Sequence, residues 1–198
     1  MKKNEGNYII GYDLNEESLE IALAENIIDE KTSDFEEAAK QVQIIVLAAP
    51  ISETIKLMKR LDEVPFEDEV IVTDVSSVKG SILDVANKLK NEKITFIGGH
   101  PMAGSHKAGI KAAKEHLFEN AIYILTPPKL ANKKATAQLQ DLFQQVGARV
   151  MLIDPDEHDF VVAAISHLPH LVASTLVNAV AEIERQHPLS LVLAAGGF

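Results

Sequence analysis

Short apolar runs alternate with segments of helical period along most of the chain. Tyr8-Ile9-Ile10-Gly11-Tyr12 is a β-type run that ends at Asp13. Asn15 stands where a cap for the next helix belongs, and Glu16 and Glu17 fall in its first turn, where the helix dipole favours anions. Leu19, Ala22, Leu23 and Ile27 then supply an apolar face at helical spacing. The continuous run Ile44 to Ala49 predicts a parallel strand covered on both faces. Pro50 stops it, and Ser52 is positioned to cap a helix through Leu61. Val70-Ile71-Val72-Thr73 reads as another buried strand, closed by Asp74. A helix from about Ser81 to Leu89 leads to a further strand at Ile94-Thr95-Phe96-Ile97.

Downstream, Lys107 to Leu117 reads as a helix and Ala121 to Leu125 as a strand that Pro127-Pro128 ends. Leu139, Leu142, Phe143 and Val146 mark a helix stopping at Gly147, a residue suited to the first position past a helix end. Val150 to Ile153 is a last strand. This alternation predicts an α/β fold with a doubly wound, largely parallel sheet. From Pro155 to Arg185 the pattern is helical only, which places a boundary near Asp154. The expected organisation is an α/β domain over residues 1–153 and the beginning of an α-helical domain over 154–198.

The chain has 198 residues, 46% of them hydrophobic, which suits a folded protein with a sizeable core. Lys+Arg 19 against Asp+Glu 29 gives a net charge of −10, which argues against a nucleic-acid or anionic-membrane partner. It says little about small anionic substrates, because one local arginine outweighs a global charge. The absence of cysteine excludes disulfides, thiol nucleophiles and cysteine-ligated metals. Met1-Lys2-Lys3 leads into Asn4-Glu5-Gly6-Asn7 rather than the apolar core of a secretory signal. The longest apolar runs, such as Ile44 to Ile51, are too short to span a bilayer, so a cytoplasmic location is expected.

The chemistry concentrates at Gly98-Gly99-His100-Pro101-Met102-Ala103-Gly104-Ser105. Paired glycines admit unusual backbone conformations and close approach of a ligand. Pro101 biases His100 away from the helical region, so the imidazole sits in an extended segment just past a strand end. Ligands of open α/β sheets bind outside such ends, and a histidine there exchanges protons near neutral pH. On these residues alone, a glycine-rich turn with an incidental histidine remains an equal reading.

That stretch, with Asp74-Val75-Ser76-Ser77-Val78-Lys79-Gly80 before it and Ser166-His167-Leu168-Pro169-His170 after it, resembles the prephenate dehydrogenase family of tyrosine biosynthesis. The likeness covers nearly the whole chain and keeps the family's order. It implies NAD-dependent oxidative decarboxylation of prephenate to 4-hydroxyphenylpyruvate, with arogenate dehydrogenase as the close alternative. A rival from another class is a non-catalytic dehydrogenase remnant acting only as a binding module. A neutral imidazole at His100 fits the base that polarises the ring hydroxyl, with Ser77 bonding its other nitrogen or capping the helix that follows. Asp13 reads by itself as a turn aspartate; the resemblance makes it a ligand of the adenosine ribose and favours NAD over NADP. Pro50 and Ile51 would lie against the nicotinamide ribose, where their bland reading is strand terminator and core residue.

His167 and His170 stand three apart and share a face if helical. No carboxylate or cysteine completes a metal set beside them, so no metal is expected, and the resemblance gives His170 to the substrate's side-chain carboxyl. Gly196, in Ala195-Gly196-Gly197-Phe198, matches the family's glycine segment just before a substrate-binding arginine, and the resemblance places it at the substrate. His106 occupies a position that is acidic in some members. His116, His158 and His187 read as surface or packing histidines.

No Gly-x-Gly-x-x-Gly occurs, and a first strand ending in Asp13 is of the second-strand kind. The resemblance therefore implies a Rossmann-type sheet lacking its first strand and glycine loop, with Met1 to Asn7 as the tail of a first helix. Two internal edges would then be repaired by direct pairing of the flanking strands or by a partner. Full-length members are expected to be homodimers, and the isolated chain is expected to be inactive.

Overall fold

The computed structural model describes residues 6–104, 109–128, 132–185 and 187. Of the expected helix tail, residues 1–5 lie outside these, and Gly6 and Asn7 are not helical.

Strand β1 (Ile10–Tyr12) leads into α1 (Glu16–Ala24), whose N-terminus is capped by the Asn15 side chain accepting from the Ser18 N–H at 3.2 Å. Asp34 does the same for α2 (Phe35–Lys40), accepting from Glu37 N–H at 3.0 Å. Between them β2 (Glu30–Thr32) pairs parallel with β1. Leu19 and Ala22 are buried as expected, but Ile27 is exposed and Ile28 completes the cluster. The chain leaves α1 at Ala24 and turns through Asn26 at φ 55°, after which Ile28 rather than Ile27 packs inward.

Strands β3 (Ile44–Leu47), β4 (Val70–Asp74) and β5 (Ile94–Phe96) form a parallel sheet with β4 at its centre. Helices α3 (Ile51–Asp62) and α4 (Gly80–Ala86) connect them. Met58 and Leu61 of α3 and Ile82 of α4 pack with Ile45, Leu47, Val70 and Val72 in one buried cluster. Each such side chain contributes about 1.5–3 kcal/mol of hydrophobic stabilisation. Ser52 does not cap α3. The helix starts two residues earlier than that cap implies, at Ile51 with Pro50 in the N-cap position, and the Thr54 hydroxyl bonds the Ala49 carbonyl at 3.0 Å.

A third sheet comprises β6 (Gly98–Pro101), β7 (Ile122–Thr126) and β8 (Arg149–Leu152), with β6 antiparallel to β7 and β8 parallel to it. The Ile97 N–H bonds the Val72 carbonyl at 2.9 Å, so β5 and β6 follow each other along the same neighbour. Helix α5 (Lys133–Gln145) covers β7 through Leu139 and Phe143, and Gly147 at φ 88° turns the chain into β8. Of the five strand pairs among the described residues, four are parallel, in keeping with the expected class.

Two expectations fail. The helix over 107–117 is replaced, in its described part, by a 3₁₀ turn at Ile110–Ala112 and further turns. Gly109 precedes it at φ 83° and Ala113 is extended behind it, so no α-helix propagates. Of the two repairs expected for the missing strand, direct pairing of β1 with β3 does not occur, and the two lie in separate sheets. Side chains join the two regions instead: Tyr12 meets Phe35 at 5.2 Å between ring centroids, and both pack against the cluster around Met58.

The first compact unit ends at His158 and the second covers 159–198. Helix α6 (Pro155–Val162), a π turn at Ala163–His167 and α7 (Leu168–Glu184) run without interruption. This 30-residue helix is long and apolar enough, by length and composition alone, to cross a membrane, although no single apolar run in the sequence suggested it. Phe160, Ile165, Leu168, Leu171 and Val172 are all exposed on it.

Candidate active site

Beneath the glycines lies a buried ion pair. Asp74, at the end of β4, and Lys79, before α4, are both wholly inaccessible. Lys79 Nζ donates to Asp74 Oδ1 at 2.7 Å, to Oδ2 at 2.5 Å and to the Gly99 carbonyl at 2.6 Å. Asp74 also accepts from the Gly99 N–H and the Ser76 N–H, each at 3.0 Å. Such saturation is what makes a desolvated charge pair tolerable, since each ion loses several kcal/mol of hydration. The pair thus grips both polar groups of Gly99 and fixes the strand that carries His100.

The same contacts explain why Gly99 is glycine. A Cβ there would lie 2.5 Å from the Asp74 carbonyl oxygen, 3.0 Å from Thr73 Oγ1 and 3.2 Å from the Tyr123 ring. Neither Gly98 nor Gly99 has a positive φ, so lateral packing rather than an unusual backbone demands them. Tyr123 stacks on Phe143 at 3.8 Å, and its phenol is pushed well above its usual range by burial and then by the Asp74 charge. It stays neutral.

His100 sits within β6, opposite Ile124, rather than in a loop past a strand end. It is 8% exposed. Its Nδ1 lies 2.9 Å from Nε2 of His158, with ring centroids 5.1 Å apart at 75°. His158 is fully buried near the start of α6, its N–H bonded to the Asp154 carbonyl at 2.8 Å. Ser77 is exposed in the β4–α4 connection, and it does not cap α4, whose N-cap position is Lys79. The Nδ1 of His100, which Ser77 is expected to bond with Nε2 as the base, faces His158.

Asp13 is exposed just past β1, and its Oδ1 accepts from the Asn15 N–H at 2.8 Å, the turn role that its residue type suggests by itself. Pro50 holds the exposed N-cap position of α3, and Ile51 is half-buried against the core cluster. Asp13, Pro50 and Ser77 each lie just past the carboxyl end of a parallel strand, where open α/β sheets bind ligands. His167 closes the π turn and His170 lies in the first turn of α7, both exposed, in the second unit. Ser105, His106 and Gly196 lie outside the described residues. No group of three or more His, Asp or Glu suited to a metal occurs among the described residues.

The sequence reading missed Asp74, Lys79 and His158 as site residues. A signal for the pair exists: an aspartate ends a buried strand, and a lysine follows five residues later across a segment with no other charge. His158 offers none, since Asp156, Glu157 and Asp159 around it look like a solvated helix face.

A parallel α/β unit with an exposed acid past its first strand is the architecture of a dinucleotide-binding domain. Residues 1–152 match the profile of the prephenate dehydrogenase nucleotide-binding domain and residues 154–198 that of the prephenate dehydrogenase dimerization domain, so the chain belongs to the prephenate dehydrogenase family. A prephenate dehydrogenase of Bacillus subtilis is 41% identical over 199 residues, covering 100% of this chain and 54% of that relative. The crystal structure of Synechocystis arogenate dehydrogenase superposes with a TM-score of 0.84 at 35% identity, over 98% of this chain and 68% of that one. The Aquifex aeolicus prephenate dehydrogenase, solved in complex with hydroxyphenyl propionate and NAD+, gives a TM-score of 0.81 at 32% identity, over 90% of this chain and 62% of that one. The chain spans about half the length of the curated relatives it matches.

Proposed function

We propose that this chain serves the NAD-dependent oxidative decarboxylation of prephenate to 4-hydroxyphenylpyruvate. The observation that carries the reading is His100, a nearly buried imidazole held on a strand whose backbone is clamped by Asp74 and Lys79. The residues fit the cofactor: Asp13 offers an exposed carboxylate as acceptor for ribose hydroxyls, and its remaining oxygen is directed by the bond from Asn15. Pro50 and Ile51, at the α3 N-terminus, present backbone and apolar surface to the nicotinamide ribose. NAD, when bound, supplies the hydride acceptor.

The chain's own task is to orient the ring hydroxyl and manage its proton. His100 Nε2 accepts the hydroxyl's hydrogen bond and takes its proton as the carbon becomes carbonyl-like, which is worth about 10²–10⁴-fold in rate. When the ring carboxylate leaves as CO₂ and its bonding electrons complete the aromatic ring, the proton returns to the phenolic oxygen. Ser77, near the same end of β4, is assigned to the hydroxyl side of the site, and His170 to the substrate's side-chain carboxyl. Gly196 is assigned to the substrate as well.

The apolar helix over Pro155–Glu184 is the proposed homodimer surface, because an uncovered face of Phe160, Ile165, Leu168 and Leu171 is larger than a monomer keeps. The match to a dimerization domain supports a second copy, not lipid, as its cover. A cytoplasmic location goes with that reading.

The test is calorimetric titration with NAD, followed by an absorbance assay for reduced nicotinamide with prephenate and with arogenate. In the full-length enzyme NAD binding and turnover of prephenate are expected, whereas the isolated chain is expected to show little or no turnover. Turnover of arogenate alone would move the assignment to the second reading, which the arogenate dehydrogenase of Synechocystis recommends. Neither binding nor turnover in the full-length enzyme would leave a binding module.

A further inference from the structure

We propose that His158 is the positioning residue that sets the tautomer of His100. The proposal rests on His100 being the base. For Nε2 of His100 to accept a hydroxyl proton, the ring's own proton must sit on Nδ1. In that form Nδ1–H donates to Nε2 of His158 across 2.9 Å, which in turn requires His158 to carry its proton on Nδ1. Both side chains are buried, so the two facing nitrogens must share one proton, and the need for an acceptor at Nε2 of His100 puts it on Nδ1.

The pair is also a device for the moment of proton transfer. When His100 becomes imidazolium, its Nδ1–H meets a neutral acceptor, and the charge strengthens that bond. The charges below β6, Asp74 and Lys79, cancel each other. Both imidazoles are mechanically fixed, His100 by the clamp on Gly99 and His158 by its position in α6. Ser77, exposed in its connection, has no comparable hold on Nδ1.

The decisive measurement is ¹⁵N NMR of the imidazole side chains in the full-length enzyme, in the wild type, His158→Leu and His158→Gln, paired with steady-state kinetics. In the wild type His100 is expected to carry its proton on Nδ1. His158→Leu should abolish that preference and lower kcat about tenfold to a hundredfold, the range seen when an orienting partner of a histidine is removed, with KM for NAD unchanged. His158→Gln, whose amide oxygen can accept, should restore the tautomer and part of kcat. An Nε2–H tautomer in the wild type would overturn the proposal without any variant having to fold, and so would a glutamine variant as impaired as the leucine one. The Nδ1–H tautomer, lost in the leucine variant but without turnover in the wild type, would sink the assigned reaction and uphold the positioning role.

Discussion

Lys79 Nζ lies 2.7 Å and 2.5 Å from the two carboxylate oxygens of Asp74, and neither side chain touches solvent. Removing one member strands the other. Lys79→Met should therefore destabilise the protein by about 3–5 kcal/mol, whereas the double change Asp74→Asn, Lys79→Met should lose less. Urea denaturation of the three proteins measures both. A single-variant loss below about 1 kcal/mol would mean that the pair behaves as a surface bridge.

Gly99→Ala should destabilise by about 1–3 kcal/mol, the usual range for overpacking, because the Asp74 carbonyl oxygen it meets is main chain and cannot swing aside. It should also reduce turnover, since the strand moved is the one that bears His100. Gly6→Ala, with nothing within 4 Å of its added carbon, should stay within about 0.5 kcal/mol and serves as the control. Thermal unfolding distinguishes them.

Arg60 Nε and Nη2 bond the two oxygens of Glu36 at 2.6 and 2.8 Å, and the guanidinium lies 5.0 Å from the Phe35 ring. The arginine holds the Glu36 carboxyl below its ordinary value of 4.5. A depressed carboxylate stabilises the fold above its unfolded pKa, and that contribution disappears as pH falls through the folded pKa. Both side chains are 41% exposed, so Glu36→Gln should cost only about 0.2–1 kcal/mol at neutral pH. The gap to the wild type should close on acidification through the carboxylate range. Denaturation midpoints across pH test this, and a gap that widens in acid would refute it.

His100→Asn should lower kcat about 10²–10⁴-fold while leaving NAD affinity nearly unchanged, because the lost bond acts at the reacting hydroxyl. Parallel calorimetry and initial-rate kinetics separate the two effects. An equal loss of NAD binding would place His100 in the cofactor site instead.

Runs of branched apolar residues at Ile44, Val70 and Ile94 mark β3, β4 and β5 in the sequence, because a strand buried on both faces has no polar position to blur it. Asn15 and Gly147 mark helix ends for equally local reasons. What the sequence hides is non-local. The oxygen that requires Gly99 belongs to Asp74, in another strand, and a lysine reads as exposed until its carboxylate is found. The helix over 107–117 fails because helix-forming residues such as Lys111 and Lys114 say nothing about Gly109 adopting a positive φ. His158 is invisible for the complementary reason: only the fold shows that one residue among acids turns inward.

The clamp on Gly99 also makes the position of His100 all-or-none. Side chains alternate faces along a strand, and β6 is held crosswise by the two hydrogen bonds of Gly99 as well as by its pairing with β7. Inserting or deleting one residue between Ile97 and His100 would therefore not nudge the imidazole by a fraction of an ångström. It would turn the ring to the opposite side of the sheet, away from His158. The spacing of this short stretch is for that reason far less tolerant of length change than its glycine-rich composition suggests.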